Sequence, residues 1–353
     1  MPKDLFPFFL YAVIPPALTK EGNPARAVCA MAVRDLLLPL GCGVPCRNGM
    51  PRRAFLFRSK VCLNVILERT AMATFVETVL PPETRPPARL YHYTSQSGLL
   101  GILKSKTLWA TRIQYLSDAS EFRYTLKLWA EATQERQQLV TASDAGNSDL
   151  RSELTSILGG LLRIPVHVAC FSEDGDSLDL WRAYCRSGPG FSIGFDSHQL
   201  IAAAINCPCF LAPCIYDPSR QSKLVDKLMG PFLARDFTDP KVDPKEECTN
   251  LIHDYLFLSS VLKDPAFSSE KEWRLVTREV TDEHPLLSVR EGRNVPVPYF
   301  PVDLPASDRK LDLDIVVGPT PYSELAVESV NTLLKKFACT GSARRSLVPY
   351  REI

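Results

Sequence analysis

Three short segments carry side chains able to do chemistry together. The first, Leu90-Tyr91-His92-Tyr93-Thr94-Ser95, holds one of five histidines in the chain. Side chains alternate between the faces of a strand, so His92 and Thr94 share one face and Tyr91 and Tyr93 the other. An imidazole beside a hydroxyl can offer two hydrogen bonds to a polar ligand; the plainer alternative is a structural histidine on a half-buried strand. The second segment runs from Cys170-Phe-Ser-Glu173 to Leu180-Trp-Arg-Ala-Tyr184. Trp181 and Tyr184 are three apart and share a face on a helical turn. Such a pair can wall a pocket for a flat ring or, equally well, seal the sheet as core. The third is Glu270-Lys-Glu272-Trp-Arg274-Leu-Val276. Read as a strand, it turns Glu270, Glu272 and Arg274 one way and Trp273 and Leu275 toward the core. An arginine beside a carboxylate keeps it ionised, the form that stabilises a developing sugar cation. An exposed Glu/Arg pair of little consequence is the common alternative.

The elements that must position these segments follow from periodicity. Strands are expected at Arg89 to Thr94, Leu108 to Thr111, Val166 to Ser172 and Phe191 to Phe195, then at Lys271 to Thr277, Val295 to Phe300 and Leu313 to Val317, with a closing strand near Leu347. Helices are expected over Gln96 to Lys104, Glu121 to Glu135, the stripe Leu150 to Leu162, around Leu200, and over Ser219 to Arg235, Glu246 to Leu262 and Ser323 to Phe337. Strands close in sequence and irregularly interleaved with helices predict an α+β fold with a mixed or antiparallel split sheet and surrounding helices, rather than a doubly wound one. No phosphate-cradling glycine loop is present; Gly188-Pro-Gly190 reads as a turn.

The chain's 353 residues can bury a sizeable core, and 45% hydrophobic with 23% charged residues excludes wholesale disorder. A net charge of +1 gives no strong case for nucleic acid or a membrane surface as partner. Charge is nonetheless uneven. Residues 1–71 carry ten Lys and Arg against four Asp and Glu, net +6, leaving net −5 for the remainder. This basic stretch, without sustained periodicity, is expected to be a poorly ordered or mis-started extension, with an organelle-transit segment as the lower-ranked alternative. Residues 72–88, with Pro81, Pro82, Pro86 and Pro87, form a stiff linker, and residues 89–353 form the folded domain. The apolar run Leu5 to Thr19 is too short to span a membrane and is broken by Pro15 and Pro16. Eleven cysteines, an odd number in a long chain, are expected to be reduced, as in the cytoplasm. Cys207, Cys209 and Cys214 supply three thiolates and lack a paired CxxC, so no metal is expected.

The order His-bearing strand, helix with Gly-Leu-x-x-Ile-Leu and strand with Leu-Trp-Ala-Thr resembles the opening unit of ADP-ribosyltransferases of the His-Tyr-Glu type. The Phe-Ser-Glu, Trp-Arg-Ala-Tyr and Glu-Lys-Glu-Trp-Arg segments resemble more specifically the domain of unknown function 2971 family, over about Arg89 to Gly318. The resemblance implies NAD as substrate, without metal, and an unidentified macromolecular acceptor. It implies that His92 hydrogen-bonds a ribose hydroxyl with Thr94 assisting, and that Tyr184 or Trp181 stacks on nicotinamide. By the same resemblance Glu272 binds the ribose 2′-hydroxyl, Glu270 orients the acceptor, and Arg182 or Arg274 binds pyrophosphate, with Ser172 placed among the ligand-binding residues. Tyr93 departs from the pattern, standing where that superfamily usually has glycine. An enzyme is thus expected, in a setting of bacterial conflict or phage defence. The alternatives are a nucleotide-sensing module of the same fold and a structural domain without ligand.

Overall fold

A computed structural model describes residues 84–349 apart from 117–123, 126, 130, 132–164, 186–189, 208, 234–238, 240, 243–250, 252–253, 278–279, 293 and 305–309. The expectations for the basic extension, for most of the linker, for the 150–162 helix and for most of the 121–135 helix lie outside the described residues.

Strand β1 (Arg89–Thr94) runs into helix α1 (Gln96–Ser105) and back out as β2 (Thr107–Arg112). The turn is abrupt because both helix ends are capped. The Ser95 hydroxyl accepts the Gly98 amide at the start, and left-handed Lys106 closes the end by donating its amide to Ile102 O. Leu99, Ile102 and Leu103 then form one buried stripe. Strand β3 (His167–Ser172) lies at the centre of the sheet. Helix α2 (Leu178–Tyr184), strand β4 (Phe191–Asp196), helix α3 (Ser197–Asn206), strand β5 (Cys209–Pro213) and helix α4 (Pro218–Leu233) follow. The last third contributes β6 (Glu272–Thr277), β7 (Ser288–Arg290), β8 (Val297–Asp303), β9 (Asp312–Val317), helix α5 (Ser323–Lys336) and β10 (Thr340–Arg345).

The fold is α+β, with a ten-stranded, mainly antiparallel sheet in which only β9 and β10 pair parallel among the described strands. The sheet is split. One edge of β3 pairs along its length with β6, from Val168↔Val276 to Ser172↔Glu272. The other edge meets β2 at His167 and Val168, and β1 only at Tyr91↔Ser172. Beyond that single pair β1 continues with β4 and β9, while β2 continues with β8 and β7. Two half-sheets therefore meet at one residue pair and part beside it.

Three apolar clusters hold these layers. Leu90, Leu99, Leu103, Phe195, Leu200, Leu313 and Leu334 pack α1, α3 and α5 against one face. Full burial of such side chains contributes about 1.5–3 kcal/mol each. Val168, Phe210, Val225, Met229, Leu258 and Val276 pack α4 and the helical run 254–259 on the opposite face of β3, β5 and β6. A small third cluster of Tyr93, Leu180, Trp181 and Val316 seats α2 on β1 and β9.

Several expectations are corrected. β5 falls within the stretch Cys207 to Cys214, where no strand is expected, because Phe210 and Ala212 are both buried there. Cys207 and Cys209 are joined in a disulfide, against the expectation of reduced thiols, whereas Cys170, Cys185, Cys214 and Cys339 form no disulfide among the described residues. The closing strand ends at Arg345 rather than near Leu347, and the short β7 carries too few residues to show a period.

Gly194 on β4 passes close under the Tyr91 ring. A methyl group there would stand 2.6 Å from the Tyr91 ring and 3.0 Å from Asp314 O. Gly194→Ala is expected to lower stability by about 1–3 kcal/mol through overpacking. The reading is a lower urea midpoint at unchanged slope; a variant as stable as wild type contradicts the crowding.

Candidate functional site

Where the half-sheets part, a cleft opens, lined by residues that include His92, Cys170, Ser172, Tyr184, Glu270 and Glu272. Its interior is about 50 Å³, room for a few water molecules or one polar group of a larger ligand. His92 fills the gap left by the unmade β1–β3 ladder, with its Nδ1 2.9 Å from Cys170 O. A carbonyl can only accept, so Nδ1 carries the proton. Burial lowers the pKa of the imidazole, the Cys170 carbonyl partly offsets this, and the charge of Arg290 lowers it further. The ring is thus neutral near pH 7, and Nε2 is left as an acceptor.

The acidic side of the cleft is a cluster of paired charges. Glu272 and Arg274 share a face of β6, as their spacing predicts. Arg274 Nε donates to Glu272 Oε1 at 2.9 Å and Arg274 Nη2 to Oε2 at 3.0 Å. Lys263 Nζ donates to Glu272 Oε2 at 2.6 Å and to Glu270 Oε2 at 2.7 Å. Cys214 Sγ lies 3.6 Å from the same Glu272 oxygen. Among the described residues, two carboxylates thus face two cations. Burial alone would raise the Glu272 carboxyl, but Arg274 and Lys263 outweigh it and hold it at about 2.

Glu270 is not on the strand, contrary to the alternation expected for it. It ends a 3-10 turn, Pro265–Glu270, and the next residue, Lys271, is left-handed at φ 44°. That reversal brings Glu270 to Lys263 by a different path from Glu272. The Glu270 side chain keeps 18% of its surface exposed and that of Glu272 only 4%. Lys263 has no counterpart in the sequence reading, and its one signal is a lysine directly after the apolar Val261-Leu262. It is held by backbone pairing with Ile215 and by Gln221, whose Nε2 donates to Lys263 O at 2.7 Å and Ile215 O at 2.6 Å.

The motif segments also lock to one another. Ser172 Oγ donates to Glu270 O at 2.7 Å, and Trp273 Nε1 donates to Glu173 Oε1 at 2.8 Å. Tyr93, the departure from glycine, is a buried wedge under Trp181 at 4.7 Å between ring centroids; its hydroxyl donates to Asp174 O and accepts from Ser177 N. Tyr184, 44% exposed, stands at the cleft. Enclosure of its phenol, then the nearby Cys170, Glu272 and Glu270, push its ionisation up, so it keeps its proton.

His92, Ser172, Tyr184, Glu270 and Glu272 are therefore brought together, while four other expected residues stand elsewhere. Trp181 is 2% exposed in the core and donates Nε1 to Asp176, so it has no face for a ligand ring. Arg274, 1% exposed, lies behind Glu272 and cannot reach a pyrophosphate. Arg182 is exposed away from the cleft lining, and the Thr94 hydroxyl lies against Gly98 of α1. Among the described residues no group of three His, Cys, Asp or Glu side chains is placed to hold a metal, and no helix is long and apolar enough to cross a membrane.

A family model described as "Protein of unknown function (DUF2971)" matches residues 180–275, a span holding both carboxylates and both of their cations but not His92. No curated protein and no solved structure matches the chain.

Lys263→Met leaves the buried Glu272 with Arg274 alone and takes the lysine from Glu270, and a loss of about 3–5 kcal/mol in unfolding free energy is expected from chemical denaturation. A loss below about 1 kcal/mol would show that the lysine is not what holds the buried carboxylate. The low carboxyl of Glu272 also sets a pH window. Its folded value of about 2 lies below the ordinary 4.5, so its stabilisation is complete above 4.5 and is lost as pH falls toward 2. That is about 3 kcal/mol across the window, and Glu272→Gln should flatten the profile; parallel profiles for the two proteins would refute it.

Proposed function

We propose that the chain is an NAD-utilising ADP-ribosyltransferase-like enzyme, with the nicotinamide ribose held at the mouth of this cleft. The observation that carries the reading is the convergence of a neutral histidine, a protonated phenol and ionised carboxylate at the split of the sheet. His92 Nε2 accepts a hydrogen bond from a ribose hydroxyl. Tyr184, on the exposed rim, faces the nicotinamide ring. The bond between ribose C1′ and the pyridinium nitrogen breaks, its electron pair leaving with neutral nicotinamide. The acceptor attacks C1′ and loses its proton. Glu270 is the carboxylate assigned to the developing cation and that proton, because more of it is exposed. Glu272 acts through the cluster that fixes Lys263 and Glu270. With the cleft interior at about 50 Å³, only one edge of the ligand enters, and the remainder lies outside along the sheet.

A second reading, a nucleotide-sensing module without turnover, is favoured by one feature. Both Glu272 oxygens already accept from cations, which leaves little capacity for a 2′-hydroxyl.

Incubating the full chain with NAD carrying label on each half separates the readings. An enzyme releases nicotinamide, and Glu270→Gln lowers kcat by at least about 100-fold while binding is retained. Tight NAD binding without release identifies the sensor. A chain that binds neither NAD nor ADP-ribose defeats both.

A further inference from the structure

A second constellation lies on the half-sheet that carries β2, β8 and β7. The register pairs Thr111 with Tyr299, Trp109 with Pro301 and Arg290 with Val297. Directly opposed residues share a face, as do residues two apart on a strand. Trp109, Thr111, Tyr299 and Arg290 therefore stand together, while Leu108, Ala110, Phe300 and Val302 fill the core on the other side. The Trp109 and Tyr299 rings stack at 4.5 Å and 24°, yet Trp109 remains 43% exposed. An aromatic stack open to water offers a platform for another flat ring.

Arg290 is half-buried beside this platform, with Nη2 donating to Thr111 Oγ1 at 3.3 Å. Among the described residues no carboxylate pairs with it; Asp282, on the same stretch of chain, is taken by Arg112 at 3.1 Å. Burial lowers its pKa, the cost of a cation partly removed from water. Its charge is felt at His92, so platform and cleft are electrostatic neighbours.

We propose that Arg290, Trp109 and Tyr299 form a subsite for the nucleoside-monophosphate part of a ligand, the base stacked on the Trp109–Tyr299 platform and the phosphate on Arg290. The assignment rests on the NAD reading only in making that part the adenylate half of NAD, whose other half reaches the cleft. A guanidinium suits phosphate oxygens because its planar fork matches them two at a time.

Calorimetric titration of the full chain with AMP, and separately with nicotinamide mononucleotide, tests this. AMP is expected to bind, and to bind about tenfold or more weakly to Arg290→Gln and to Trp109→Ala. Tyr299→Phe, which keeps the ring, should bind AMP as wild type does, and the Arg290 and Trp109 variants should lose less affinity for nicotinamide mononucleotide, whose own place is the cleft, than for AMP. Added salt should weaken AMP binding to wild type more than to Arg290→Gln. Thermal melts establish that each variant is folded. AMP that fails to bind wild type, or binds the folded Arg290 and Trp109 variants unchanged, overturns the subsite. Nicotinamide release with an unaltered KM for NAD in both variants overturns the subsite while the transferase reading survives. AMP binding lost in both variants, in a chain that never releases nicotinamide, upholds the subsite and removes the transferase.

Discussion

The constraint on which the rest of the site depends is charge neutrality at the start of β6. Taking one ion out of water costs several kcal/mol, so Glu272 can be buried only because Arg274 and Lys263 are buried with it. Each cation also belongs to the scaffold. Arg274 Nη1 donates to Ser260 O at 3.0 Å, and Lys263 is pinned through Ile215 and Gln221. The cluster thus fastens β6 to the 254–263 segment and to α4, and it fixes where Glu270 ends. Electrostatics, fold and cleft geometry are one arrangement here.

The same arrangement divides the labour of the two acids. Alternation alone makes Glu270 and Glu272 equivalent, since residues two apart on a strand face one way. Left-handed Lys271 removes that equivalence by setting one carboxylate at the rim and the other inside. An L-residue in that conformation costs about 1 kcal/mol, which the shared bond to Lys263 offsets.

How much of this was legible follows from the range of each interaction. Among the described residues, strands and helices with a clear period lie within a few residues of where the sequence puts them, because alternation and 3.6-residue stripes are local properties. His92 and Glu272 could be matched because each lies in a short segment whose face is set by its own strand. Lys263 was invisible, since its role arises from Ile215 and Gln221, more than forty residues upstream. Trp181 and Arg274 were read as ligand-facing because residue type does not reveal that a side chain is buried behind another. Arg290 and Trp109 carry no common signal in the sequence; only the β2–β8–β7 register brings them together. Tyr93 is instructive in the other direction. Its departure from glycine marks a packed wedge under α2, and the split is kept open beside it by the His92 bridge.

The single ladder pair between β1 and β3, Tyr91 with Ser172, has a mechanical consequence. A ladder several pairs long shares an applied force among its rungs, whereas a one-rung join concentrates it. Pulled across the sheet, the strand ladder would open first along that line, while α1 and the apolar cluster shared by both half-sheets still hold β1 beside β2.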